Sequence, residues 1–98
     1  MNREWPYNFM EALGIDDEKY DVEYIAKDFD ERLNKIILND SNKFTVAELN
    51  IIYAKFKDNK KIITIQDSLG VSGYKVRITL AKVLRKLRHP AYFKELIK

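Results

Sequence analysis

The 98-residue chain has 46% apolar and 34% charged side chains and no cysteine. This balance suits one folded domain and excludes a disulfide framework, a thiolate metal site and a cysteine nucleophile. A chain of this length buries enough surface for one modest core, which excludes two-lobed architectures and most large catalytic folds. The formal net charge of +3 hides a division: residues 1–42 hold eleven acids and five bases, net −6, whereas residues 43–98 hold thirteen bases and four acids, net +9.

Glycine and proline are scarce, three and two residues, and each stands where a helix should begin or end. Pro6 suits a first helical position and Gly14 a left-handed close, with Phe9, Met10 and Leu13 on one face between them. Asp16 and Asp17 offer an N-cap for a longer helix over about 18–38. Its apolar positions Val22, Ile25, Phe29, Leu33, Ile36 and Ile37 follow helical spacing, and its outer surface carries Asp21, Glu23, Asp28, Asp30 and Glu31. Asn39 to Asn42 form a polar break. Thr45 and Glu48 make a capping box that opens a helix near 46–57, striped by Leu49, Ile52, Tyr53 and Phe56. Asp58 to Lys61 form a charged loop. A short helix follows near 62–69, with Ile62, Ile65 and Leu69 inward, and Gly70 breaks it. Ser72 caps a helix running to about Arg88, which Pro90 stops. Ala91 to Ile97 form the last short helix. No strand pattern or repeat occurs, so the expected fold is all-α, with five or six helices. It divides into an acidic segment, 1–42, that packs on or caps the rest, and a basic domain, 43–98.

The tandem at 62–88 is the informative part. A short helix, a turn of three or four residues with a glycine, and a longer helix form the helix-turn-helix pattern, whose second helix lies in the DNA major groove. Core positions would be Ile65, Leu69, Val71, Val76, Val83, Leu84 and Leu87. Between Ser72 and Arg88 stand six bases and no acid: Lys75, Arg77, Lys82, Arg85, Lys86 and Arg88. A helix this cationic suits a polyanion, the bland alternative being a solvated lysine-rich face.

These residues resemble a known family. Leu69-Gly70-Val71-Ser72, Lys75-Val76-Arg77 and the run from Ala81 to Pro90 are similar to region 4 of bacterial RNA polymerase sigma factors of the housekeeping type. The stretch from Leu84 to Pro90, Leu-Arg-Lys-Leu-Arg-His-Pro, is identical to the family's ending. Upstream, Phe44 to Phe56 resembles the family's first subregion, so the likeness covers about residues 44–95. It implies a helix-turn-helix transcription factor that binds double-stranded promoter DNA and contacts the polymerase β-flap or another transcription factor. The implied location is cytoplasmic and nucleoid-associated. Family flap surfaces fall partly on the 45–57 helix, where Ile51, Ala54 and Lys55 are candidates for an outward face. The DNA set is Ser72, Tyr74, Lys75, Arg77, Ile78, Lys82, Arg85, Lys86 and Arg88.

The chain departs from the family where bases are read. The family's Arg, Glu and Gln correspond to Gly73, Tyr74 and Ile78, and a family Glu to Leu80. Tyr74, Ile78 and Ala81 share one face, which can touch thymine methyls but carries little hydrogen-bond code. Binding would then be driven mainly by phosphates. Exposed Tyr74, Ile78 and Leu80 together also suit a protein contact. That supports a second reading: an adaptor that binds polymerase, a sigma factor or its own copy. The chain's N-terminal helices packing on this patch, or the acidic 16–31 segment shielding it, is a further alternative.

Little else points to chemistry. His89 is the sole histidine and stands at a helix end. Paired acids read as caps and a wet helix face, and Gly70 and Gly73 lack the context of a phosphate loop. The expectation is no enzyme, no cofactor and no metal. No apolar run reaches the ~18 residues of a membrane span. The stretch from Met1 to Glu11 carries charge and Pro6 where a signal peptide carries an apolar core.

Overall fold

Side-chain caps open four of the seven α-helices in the computed structural model, which describes residues 4–98. Residues 1–3, the first part of the charged opening and of the acidic segment 1–42, lie outside the described residues. The described chain forms α1 (Tyr7–Ala12), α2 (Val22–Lys27), α3 (Phe29–Asn39), α4 (Val46–Ile52) with a π-helical turn (Tyr53–Lys57), α5 (Ile62–Leu69), α6 (Gly73–Leu87) and α7 (Pro90–Ile97). No strand occurs among these residues.

The described residues form seven α-helices where five or six were expected, because the helix expected over 18–38 is divided. Asp16 does cap, its carboxylate accepting from the Glu18 and Lys19 amides at 3.1 Å, but it closes only a single turn. Asp21 then accepts from the Tyr24 amide at 3.2 Å and starts α2. At Asp28 the backbone leaves the helical region (φ −116°, ψ 19°), and α3 sets off anew. Aspartate competes for backbone amides within a helix, as Asp16 and Asp21 do here, whereas the Asp28 side chain makes no cap hydrogen bond. Pro6 precedes the first helical residue instead of occupying it, whereas Gly14 closes α1 in the left-handed region (φ 89°) as expected.

The Thr45–Glu48 capping box is present in both directions: Glu48 N donates to Thr45 Oγ1 at 3.1 Å and Thr45 N donates to Glu48 Oε1 at 2.7 Å. Past Ile52 the helix widens, and the Asp58 amide reaches back five residues to the Tyr53 carbonyl at 2.8 Å. The Phe56 carbonyl accepts from Asn8 Nδ2 at 2.7 Å. His89 caps α7, its Nδ1 accepting from the Ala91 amide at 3.2 Å, and Pro90 is the first residue of that helix. The histidine at the end of α6 thus serves the next helix start.

One apolar cluster draws on both the acidic and the basic segments. Phe9, Ile25, Phe29, Leu33 and Ile37 share it with Ile52, Val83, Leu87 and Leu96. Its aromatic corner is built by the N-terminal anchors. Trp5 stacks on Phe9 with centroids 5.6 Å apart, and Phe9 meets Phe56 edge-on at 4.9 Å. The indole Nε1 donates to Asp30 at 2.7 Å. A second, smaller cluster of Ile51, Ile65 and Val76 joins α4, α5 and α6. Ile51, a candidate for the outward face of α4, is buried there, and Ala54 packs against the same cluster while Lys55 is half-buried.

Two stability outcomes follow. Leu87 is fully buried, so Leu87→Ala should lower the unfolding free energy by about 2–5 kcal/mol in urea titrations. Thr45→Ala, which removes one arm of the capping box, should cost about 1 kcal/mol in the same titration.

Candidate nucleic-acid interface

α5 and α6 are joined by Gly70, Val71 and Ser72. Gly70 lies in the left-handed region (φ 67°, ψ 28°) with nothing within 4 Å of where a Cβ would stand, so the turn requires glycine for its backbone and not for space. Ser72 Oγ accepts from the Lys75 amide at 3.1 Å. This hydroxyl, placed in the DNA set by resemblance, is therefore engaged in starting α6. Val76 fixes the leading half of α6 in the small cluster, and Val83 and Leu87 fix the trailing half in the large one.

What remains outward on α6 is a mixed face. Tyr74 is 72% exposed and Ile78 43%. Lys75, Arg77, Ala81, Lys82 and Arg85 are exposed as well. None of these four cations forms an ion pair with a described residue. The N-terminal helices do not cover Tyr74 or Ile78; their apolar residues meet the trailing half of α6 and α7 instead. Among the acids, Asp30 pairs with Lys57 at 3.4 Å and Glu48 with Lys86 at 3.0 Å.

The remaining site residues are placed differently from expectation. Lys86 Nζ is held between Glu48 and the Lys43 carbonyl and lies 4.8 Å from the Phe44 ring centroid. Its side chain is 23% exposed, so this base is spent inside the fold. Arg88 is exposed, but its guanidinium donates to the Ala12 carbonyl at 2.6 Å, which ties the end of α6 to the end of α1. Leu80, expected in an exposed apolar patch, is half-buried against Ile51, Ile65 and Val76. Leu69, expected inward, is 44% exposed, and Ile63 is also exposed. The helix turns over fewer inward positions than its apolar content suggests, since α5 presents chiefly Ile65 and Ile62 to the cluster.

Lys60 and Lys61, which the sequence marks only as part of a charged loop, are both exposed beside the start of α5. No side chain caps that helix. The absence of Ser, Thr, Asp or Asn at position 61 was the available signal.

A groove of about 730 Å³ lies elsewhere, between α3 and α7, bordered by Tyr24, Arg32, Lys35, Ile36, Asp40 and Tyr92 among others. Much of its polar lining is internally satisfied. Arg32 donates to the Leu96 carbonyl at 2.9 Å, and Tyr92 donates to Asp40 at 2.6 Å. That bond to Asp40 raises the Tyr92 phenol above its ordinary value. Among the described residues no group of His, Asp or Glu could hold a metal ion, and no helix is long and apolar enough to cross a membrane. Four exposed cations without an ion pair to a described residue are instead gathered on α6. No known family model, curated protein or solved structure matches the chain.

Proposed function

We propose that the chain is a DNA-binding transcription regulator that uses α5 and α6 as a helix-turn-helix similar to sigma region 4, with α6 seated in the major groove. The observation that carries this reading is the outward face of α6, where Lys75, Arg77, Lys82 and Arg85 stand exposed with no acid on the helix. Such a face gains by releasing counterions from duplex phosphates. The uncapped start of α5, with Lys60 and Lys61, is suited to a neighbouring phosphate, since free helix amides favour anions. Ser72, Lys86 and Arg88 support the unit from within through the cap, the Glu48 pair and the Ala12 contact.

A second reading, an adaptor on the same scaffold, is favoured by the exposure of Ile63, Leu69, Tyr74 and Ile78. Polymerase, a sigma factor or a second copy would then meet these side chains. Light scattering and capture of purified polymerase core separate this reading from the first: it fails if the chain stays monomeric and leaves the core unbound.

Fluorescence anisotropy against random and promoter duplexes tests DNA binding. The logarithm of the association constant should fall with the logarithm of salt with a slope of about −3 to −4, near −0.9 for each of four phosphate contacts. Arg77→Ala with Lys82→Ala should flatten that slope by about 2. Absence of binding at ~50 mM salt refutes the proposal, as does an unchanged slope in the double variant. Lys86→Ala should behave oppositely. It should leave DNA affinity within about twofold while lowering stability by about 1–3 kcal/mol in urea titrations, because Glu48 loses its partner in a nearly closed site.

A further inference from the structure

This inference rests on the DNA-binding reading and concerns what the same surface selects. Tyr74 and Ile78 are four residues apart, so their side chains lie one above the other on a single face of α6, and exposed Ala81 extends the row. They are separated along the helix axis by about 6 Å, close enough to reach neighbouring base pairs. Gly73, at the tip, adds no side chain. Its Cβ direction runs toward α5, 3.1 Å from Gln66 Oε1 and 3.4 Å from Ile62 Cγ2. The row therefore brings one hydroxyl, that of Tyr74, and otherwise hydrocarbon to a groove floor. Lys75, Arg77, Lys82 and Arg85 supply the charge beside it.

Base edges differ in how they receive such a face. Guanine and cytosine offer polar acceptors and donors in the major groove, whereas thymine adds a C5 methyl. Hydrocarbon pressed on a polar edge displaces water without replacing its hydrogen bonds, which is unfavourable; on a methyl it buries apolar surface against apolar surface. We infer that α6 selects thymine-bearing duplex DNA through the C5 methyl groups, with Tyr74 and Ile78 as the specificity-determining residues. The four cations hold the helix in the groove without distinguishing sequence.

Replacement of thymine by uracil removes that methyl and leaves base pairing and phosphates in place. Anisotropy at ~50 mM salt would compare an A·T duplex, the same duplex with deoxyuridine for every thymidine, and a G·C duplex with and without cytosine C5-methylation. A buried methyl is worth about fourfold in affinity, so loss of two should weaken binding by roughly tenfold or slightly more. Cytosine methylation should tighten binding to the G·C duplex. Tyr74→Ala with Ile78→Ala, both at exposed positions, should equalise the thymine and uracil duplexes while retaining the salt-dependent remainder. Equal affinity of the unaltered protein for the thymine and uracil duplexes overturns the methyl reading and leaves phosphate-driven binding standing. So does a double variant that weakens both duplexes alike. Failure to bind any of the four duplexes overturns the DNA-binding reading beneath it.

Discussion

α6 is a wall shared by two apolar clusters, and the rest of the molecule depends on that sharing. Val76 belongs to the small cluster under α4 and α5, and Val83 and Leu87 belong to the large one built with α1, α3 and α7. A helix gripped on successive stretches by different neighbours has little freedom to roll. Its unburied stripe is consequently fixed in direction, and whatever occupies positions 74, 75, 77, 78, 82 and 85 is displayed as a rigid set. Rigid display matters for recognition because side chains mounted on a packed element lose less freedom on binding than those on a loop.

The Glu48–Lys86 pair shows how sequence-level charge can mislead. Six bases along one helix look equivalent on paper. In the fold, Glu48 is already drawn to the Thr45 amide by the capping box, which leaves its second oxygen beside α6 to receive Lys86. The Lys43 carbonyl and the Phe44 ring complete the enclosure. The ammonium is thus committed to holding α4 on α6, and the cationic face is smaller and more sharply bounded than the composition implies.

Elements whose ends are written in local chemistry were legible in the sequence. The capping box at Thr45, the left-handed Gly14, the break at Gly70 and the Ser72 cap all act within a few residues. The division at Asp28 was not legible, because an aspartate inside a regular apolar repeat gives no hint that the backbone departs there. The burial of Ile51 and Leu80 and the exposure of Leu69 depend on how α5 crosses its neighbours, which is a tertiary matter. Of the candidate interface, the exposed cations and Tyr74 could be read from helical spacing. The engagement of Lys86 and Arg88 could not, since each meets residues more than forty positions away.

The wide turn at Tyr53–Lys57 has a consequence for how this chain tolerates change in length. An extra residue in a helical turn rotates everything after it by about 100°, and here that rotation carries Phe56 onto Phe9 and leaves its carbonyl for Asn8. Deleting one residue to regularise the helix would swing the aromatic ring off its seat and turn the start of α5 with it. Insertions and deletions between Ile52 and Lys61 are therefore not the neutral events that loops usually permit, and the spacing between these two helices is a feature under mechanical constraint.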